Sequence, residues 1–222
     1  MDFAPSENAV AIRDQVEAFF RAEILPRVKD FHHDVEVDGR HEATFMGALK
    51  AKAFEMGLWN MALPRLADDE PGTKLTNLEF AHVAEILGRL SWASEVFNCH
   101  APDVPNMEIL QMFATAEQKE TYLRPLLHSE IRSSFAMTEP DVASSDATNI
   151  ATRIEERGDQ LVINGRKWFA TGAGNPNCRF LIVVGLSDPG APRVRGHSMV
   201  IVPKDTPGLT VVRNRPVMRH VD

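Results

Sequence analysis

Cysteine is almost absent from this chain: Cys99 and Cys178 are the whole complement, far apart and in no Cys-x-x-Cys or Cys-x-x-His spacing. That excludes a disulfide framework and a structural zinc site as organising features. Long apolar runs are also missing, since no segment approaches the roughly 20 consecutive apolar residues that span a bilayer. The N-terminal string MDFAPSENAVAIRDQ has neither a basic region leading into an apolar run nor an Arg-rich, acid-poor amphipathic stretch, so no targeting segment is read there. The expectation is an intracellular, cytoplasmic protein without a membrane span. Blocks of like charge and internal repeats are lacking too, and 13 Gly with 14 Pro is ordinary usage, so no disordered tail is expected. The basic residues are scattered in a chain of net charge −7. Nucleic acid needs a clustered basic face to neutralise phosphates, so it is not an expected partner. His32, His33, Asp34 and His100 form no His-x-x-x-His pair, and they read as solvated or capping residues with no metal implied.

What is present is enough apolar material for real cores, 44% of 222 residues. Up to about residue 130 the apolar period is helical. Ile12, Val16, Phe19, Phe20 and Ile24 recur at three- and four-residue steps until Pro26. Phe45, Leu49, Ala53 and Met56 repeat the pattern, and Gly57 can take the left-handed conformation that closes a helix. Two prolines and several acids make residues 58–71 a loop. A third stripe runs from Leu78 through Leu90, a shorter helix covers residues 107–113, and Thr115 with Gln118 forms a capping-box pair opening a helix through Leu127. Four to five helices are expected.

Beyond Ile131 the period changes. Residues 160–163 followed by Asn164-Gly165 predict a hairpin turning at that pair. Residues 179–185, 198–202 and 209–212 are β-branched runs bounded by Asp188-Pro189-Gly190 and Pro207-Gly208, and they read as strands. Helices first and strands afterwards imply an α+β arrangement: a helical domain over residues 1–131 and a barrel-like or sandwich-like β domain over 132–222.

Two strings in the second part carry chemistry. The first is FAMTEPDVASSDATN at residues 135–149, and the second is the pair Asn164-Gly165 with Lys167-Trp168-Phe169-Ala170-Thr171-Gly172. A flat, apolar ring with a polar edge is held by apolar contacts together with hydroxyl and backbone donors, and Thr138, Ser144 and Ser145 are hydroxyl-bearing. On a strand, Phe169 and Thr171 would face one side and meet one ligand together. Taken singly, each string also suits a plain polar turn or a core aromatic beside an edge Thr. Gly172-Ala173-Gly174 has no strand-loop-helix context to make it a phosphate loop.

Taken together and in order, the Met-Thr-Glu-Pro string, the Ser-Asp pair beyond it and the Ile163-Asn164-Gly165-Arg166-Lys167 run resemble the middle domain of the acyl-CoA dehydrogenases. Val96-Phe97-Asn98-Cys99 and Ala101-Pro102-Asp103 are similar to the subgroup that animals carry joined to a phosphotransferase-like domain. The usual Gly-x-Gly-Ser-Asp of the family is replaced here by Asp141-Val142-Ala143-Ser144-Ser145-Asp146, one residue longer and without glycine.

The resemblance implies an FAD site made by Phe135, Ala136, Met137, Thr138, Ser144, Ser145, Phe169, Ala170 and Thr171. Thr138 would sit at the ring's polar edge, Ser145 near pyrophosphate and acyl-CoA substrate, Phe169 on the ring and Thr171 near N5. It further implies oxidation of an acyl-CoA to its trans-2-enoyl product, electron-transfer flavoprotein as acceptor, and a homo-oligomer. In the family the catalytic base belongs to a C-terminal helical domain, so no residue here is assigned as base, and the expectation is a partial member lacking that domain. The alternative expectation is a non-catalytic remnant or interaction module of the same fold.

Overall fold

A computed structural model describes residues 3–217, 220 and 221. The chain divides into two compact units, Met1–Glu130 and Ile131–Asp222.

The first unit is helical. Helix α1 (Glu7–Phe19) starts where the Ser6 hydroxyl accepts the Ala9 N–H, and it buries Ala9, Val16 and Phe19 at helical spacing. Winding does not stop at Pro26, as the sequence predicted, but runs on through Val37. A widened turn over Phe20–Ile24 and a tight one over Leu25–Arg27 absorb the proline's missing donor and its ring. Helix α2 (Met46–Glu55) ends as expected at Gly57, whose φ is +72°. There the Gly57 amide donates to Phe54 and the Leu58 amide to Ala53, the paired bonds of a Schellman close.

Helix α3 (Asn77–Leu87) opens on a capping box between Thr76 and Glu79 that the periodicity argument passed over. Helix α4 (Asp103–Phe113) begins four residues ahead of the expected Met107. The predicted Thr115–Gln118 box is present with both reciprocal bonds, and helical turns follow it to Leu127. These helices enclose a core in which Phe19 meets Phe97 edge-on at 5.2 Å and Phe31 stacks on Trp92 at 4.7 Å. Each such aromatic contributes about 1.5–3 kcal/mol by leaving water.

The second unit is a five-stranded mixed sheet of β1 (Arg132–Ala136), β2 (Arg153–Arg157), β3 (Gln160–Asn164), β4 (Cys178–Leu186) and β5 (His197–Pro203). Strand β4 is its spine. One edge of β4 carries β5, antiparallel, and the other carries β1, parallel, with β2 joining at Leu186. Burial of every β4 side chain from Phe180 to Val184 matches its continuous apolar run. A two-residue ladder pairs β6 (Pro216–Val217) with β7 (His220–Val221).

Two expectations fail here. Asn164-Gly165 is not the hairpin turn: Asn164 closes β3 opposite Arg153, and the β2–β3 hairpin turns at Gly158-Asp159, with Gly158 at φ +68°. Strand β2, RIEER, went unseen because it buries only Ile154 and so has no apolar alternation to read. Residues 209–212 form no strand; Val212 is exposed, and only Leu209 packs on the sheet's core. Gly165 is required for another reason. A Cβ there would lie 2.1 Å from the Thr152 hydroxyl, so only glycine lets the two segments approach.

Candidate functional site

The two strings singled out in the sequence meet at the C-terminal end of β1. The Thr138 hydroxyl donates to the Trp168 carbonyl at 2.8 Å, and the Trp168 N–H donates back to the Thr138 carbonyl at 3.0 Å. Beside this junction the Lys167 ammonium donates to the Met137 carbonyl at 2.7 Å and to the Glu139 carboxylate at 2.8 Å. The same carboxylate accepts the amides of Ala151 and Thr152 at 2.8 and 2.9 Å. Glu139 therefore ties three stretches of chain together from a buried position, 5% exposed.

Burial alone pushes the Glu139 carboxyl up, but the Lys167 ammonium and the Ala151 and Thr152 amides outweigh it and hold it at about 2. Burial also lowers the Lys167 ammonium, against the opposing pull of Glu139. A carboxylate so fully engaged is an anchor, not a proton shuttle. In the sequence Glu139 stands only as part of the Met-Thr-Glu-Pro string. Nothing in either string points to its partnership with Lys167, 28 residues further on.

Beyond the junction lies a cleft of about 1000 Å³ with Ala136, Leu181, Val183 and Val202 among its apolar walls. The segments 161–171 and 206–215 also line it. Of the sequence-predicted residues, Ala136, Phe169, Ala170 and Thr171 line this cleft, while Phe135, Met137 and Thr138 stand next to it in the chain without lining it. Thr138 spends its hydroxyl proton on Trp168, so what it offers a ligand is acceptor capacity.

Ser144 and Ser145 do not line the cleft. The buried Ser144 hydroxyl accepts the Glu139 amide at 2.6 Å and so serves the turn, whereas Ser145 is exposed. Asp146 caps the turn that follows, accepting the Thr148 amide and hydroxyl; those two bonds keep its carboxyl below the ordinary aspartate range.

The strand expected at Trp168–Thr171 is absent, so alternation does not place Phe169 and Thr171 on one face. Phe169 instead has φ +48° and is 55% exposed, an uncommon combination for a bulky residue. Its ring lies 4.8 Å from that of Trp168, and the Arg215 guanidinium sits 5.5 Å from the centroid of each. That contact offsets part of the roughly 1–2 kcal/mol the left-handed backbone costs. Gly174 serves packing: a Cβ there would fall 1.8 Å from the Asn214 amide oxygen, which draws the 172–174 turn against the 206–215 segment. The Lys204 ammonium bonds the Ala173 carbonyl in the same turn.

Known proteins share this architecture. Residues 6–130 match the family model described as acyl-CoA dehydrogenase, N-terminal domain, and residues 134–220 match that of the middle domain. Acyl-CoA dehydrogenase family member 10 of Mus musculus is 45% identical over 95% of this chain, which spans 20% of that relative. The Mycobacterium tuberculosis protein FadE2, named a probable acyl-CoA dehydrogenase, is 46% identical over the whole chain, which spans 54% of it. Among solved structures, an acyl-CoA dehydrogenase from Mycobacterium abscessus superposes with a TM-score of 0.89 at 49% identity, covering 98% of this chain and 55% of that one. The chain thus spans about half or less of these relatives, and it belongs to the acyl-CoA dehydrogenase family, carrying that family's N-terminal and middle domains.

Proposed function

We propose that the protein is an FAD-dependent acyl-CoA dehydrogenase that oxidises the Cα–Cβ bond of an acyl-CoA thioester to the trans-2-enoyl product. The observation that carries this reading is the reciprocal Thr138–Trp168 hydrogen-bond pair, which joins the two motif strings at the edge of an apolar cleft. The residues present suit a flat ring: apolar walls at Ala136 and Val183, an exposed aromatic at Phe169 and a hydroxyl at Thr171, with Thr138 just outside the lining. A protein of this fold, 24% identical with a TM-score of 0.75, is titled as the FAD complex of PigA. When bound, the flavin supplies a hydride acceptor at N5.

What this chain's own residues do is bind and orient. Glu139 and Lys167 fix the junction, Thr138 presents an oxygen, and Phe169 presents a ring face. Ser145, exposed on the turn after Ser144, remains our proposed contact to acyl-CoA. We take an electron-transfer flavoprotein as the electron acceptor. A solved chain 25% identical, TM-score 0.69, comes from a structure titled for the electron transferring flavoprotein of Acidaminococcus fermentans. The test is the visible spectrum of the full-length protein, followed by anaerobic addition of acyl-CoAs from short to long. Bound flavin that bleaches with one of them is the expected result. Protein that neither retains FAD nor bleaches it with any acyl-CoA overturns the reading.

A further inference from the structure

The connection from β4 to β5, residues 187–196, is built as a stiff arm. At its stem the Ser187 and Asp188 amides both donate to the Gly196 carbonyl, at 2.9 and 3.0 Å, and a Cβ on Gly196 would lie 2.6 Å from the Asp188 carbonyl oxygen. Further out, the Asp188 carboxylate accepts the Gly190 and Ala191 amides, and the Arg195 amide donates to the Pro192 carbonyl. Pro189 and Pro192 fix two more backbone angles. What this arm presents is Arg193. Its guanidinium donates to the Asn149 side-chain oxygen at 2.9 Å, 44 residues back in the chain, and to the Thr148 carbonyl at 3.4 Å.

Asn149 passes this hold along the turn. Its side-chain amide donates to the Ala143 carbonyl at 3.1 Å, next to Ser144 and Ser145, and its backbone amide donates to the Asp146 carbonyl at 3.0 Å. The front of the turn is fixed separately, where the Ser144 hydroxyl accepts the Glu139 amide. Between the two anchors the chain is one residue longer than the family's usual string and has no glycine. A longer exposed turn has more conformations to lose, so a bond from outside it has more to restrain. We infer that Arg193 is a positioning residue for acyl-CoA: through Asn149 it holds the 143–149 turn in the shape that presents Ser145. The hold on the turn stands on these hydrogen bonds alone; its consequence for acyl-CoA rests on the function proposed above, in which Ser145 is the substrate contact.

The experiment uses the full-length protein with FAD at saturation: wild type, Arg193→Ala, Arg193→Lys, Asn149→Ala and the Arg193→Ala/Asn149→Ala double variant. Steady-state rates give KM and kcat for the acyl-CoA that bleaches the flavin, and hydrogen exchange read by mass spectrometry follows residues 143–150. Arg193→Ala should speed exchange over the Thr148, Asn149 and Ile150 amides by about tenfold, the factor that one charge-assisted hydrogen bond contributes. KM should rise by about the same factor with kcat unchanged, because a substrate contact away from the reacting bond is lost equally from ground and transition states. Asn149→Ala should do the same, and the double variant no more than either single, since both bonds belong to one chain of contacts. Arg193→Lys keeps a charged donor and should recover part of the KM. Arg193 is exposed, so the urea midpoint of the second unit should not move.

Exchange over residues 143–150 that is unmoved in Arg193→Ala would overturn the hold on the turn. Faster exchange with KM unmoved would overturn its role in acyl-CoA binding, as would single effects that multiply in the double variant, or a fall in kcat that tracks a lowered urea midpoint. A wild type that retains no FAD and turns over no acyl-CoA, in which Arg193→Ala still releases exchange over the turn, would sink the proposed function and leave the hold standing.

Discussion

Replacing Lys167 by Met tests the organisation of the site most directly, because it removes one charge from a buried pair and leaves the other behind. Glu139 is 5% exposed, and the Lys167 side chain is 11% exposed, so solvent screens little of the interaction. The carboxyl is held at about 2 against an ordinary 4.5. That difference corresponds to about 3 kcal/mol favouring the ionised, folded form, shared between Lys167, Thr152 and the Ala151 amide. In Lys167→Met the burial cost of the carboxylate persists while its strongest partner is gone, which predicts a loss of about 3 kcal/mol in the second unit.

Glu139→Gln with Lys167→Met should recover part of that loss, leaving a coupling energy of about 2 kcal/mol. Trp168 is the single tryptophan of residues 131–222, since Trp59 and Trp92 lie in the first unit, so 19F resonances of fluorotryptophan report each unit's urea unfolding separately. A Lys167→Met loss under about 1 kcal/mol at neutral pH, or a double variant that simply sums the two singles, would refute the view of the pair as the clamp of the junction.

Further outcomes follow from the same geometry. Because the folded Glu139 carboxyl titrates below its unfolded value, its contribution is complete above pH ~4.5 and is lost as pH falls toward about 2; wild type should lose second-unit stability across that window, and Glu139→Gln should flatten the loss in urea midpoints measured at each pH. Gly165→Ala forces a Cβ to within 2.1 Å of the Thr152 hydroxyl and should cost about 1–3 kcal/mol or more in the Trp168 transition. Gly158→Asn places a tolerant residue at φ +68° with nothing within 4 Å and should cost under about 1 kcal/mol by the same measurement. In the first unit, Asn98→Ala strips the buried Asn60 side-chain oxygen and the Leu126 carbonyl of a donor, and a loss of about 1–3 kcal/mol should appear in the Trp59 resonance.

Local rules of the chain were legible wherever a single segment decided the outcome. The Thr115–Gln118 box, the close at Gly57 and the apolar run of β4 are each properties of adjacent residues, and each was readable as such. Pro26 misled, because whether a proline ends a helix depends on how the preceding turn can widen and on what lies beyond to be buried, here Phe31 and Val35. Strand β2 was invisible because a strand such as RIEER, with Ile154 its one buried side chain, owes its pairing to the backbone and not to a buried face.

For the site, the motif strings were legible, but their internal geometry was not. The Phe169 backbone is left-handed rather than extended, and Ser144 turns inward to its own loop. Arg213 and Arg215 carried no signal at all, lying far along the chain from the segment they face.

Sequence by itself therefore settled the class of each half, the helices before the strands, and membership of a family whose middle-domain strings stand at 135–146 and 163–171. Composition, period and short motifs act over a few residues and need no partner to be read. Only the tertiary structure decided that Glu139 and Lys167 form a buried ion pair, that Thr138 and Trp168 bond each other, and that three arginines gather around one cleft with no acid among its described lining residues. Those facts are set by which distant segments the sheet brings within a few ångströms, and charge, burial and hydrogen bonding take their values only once that approach is made.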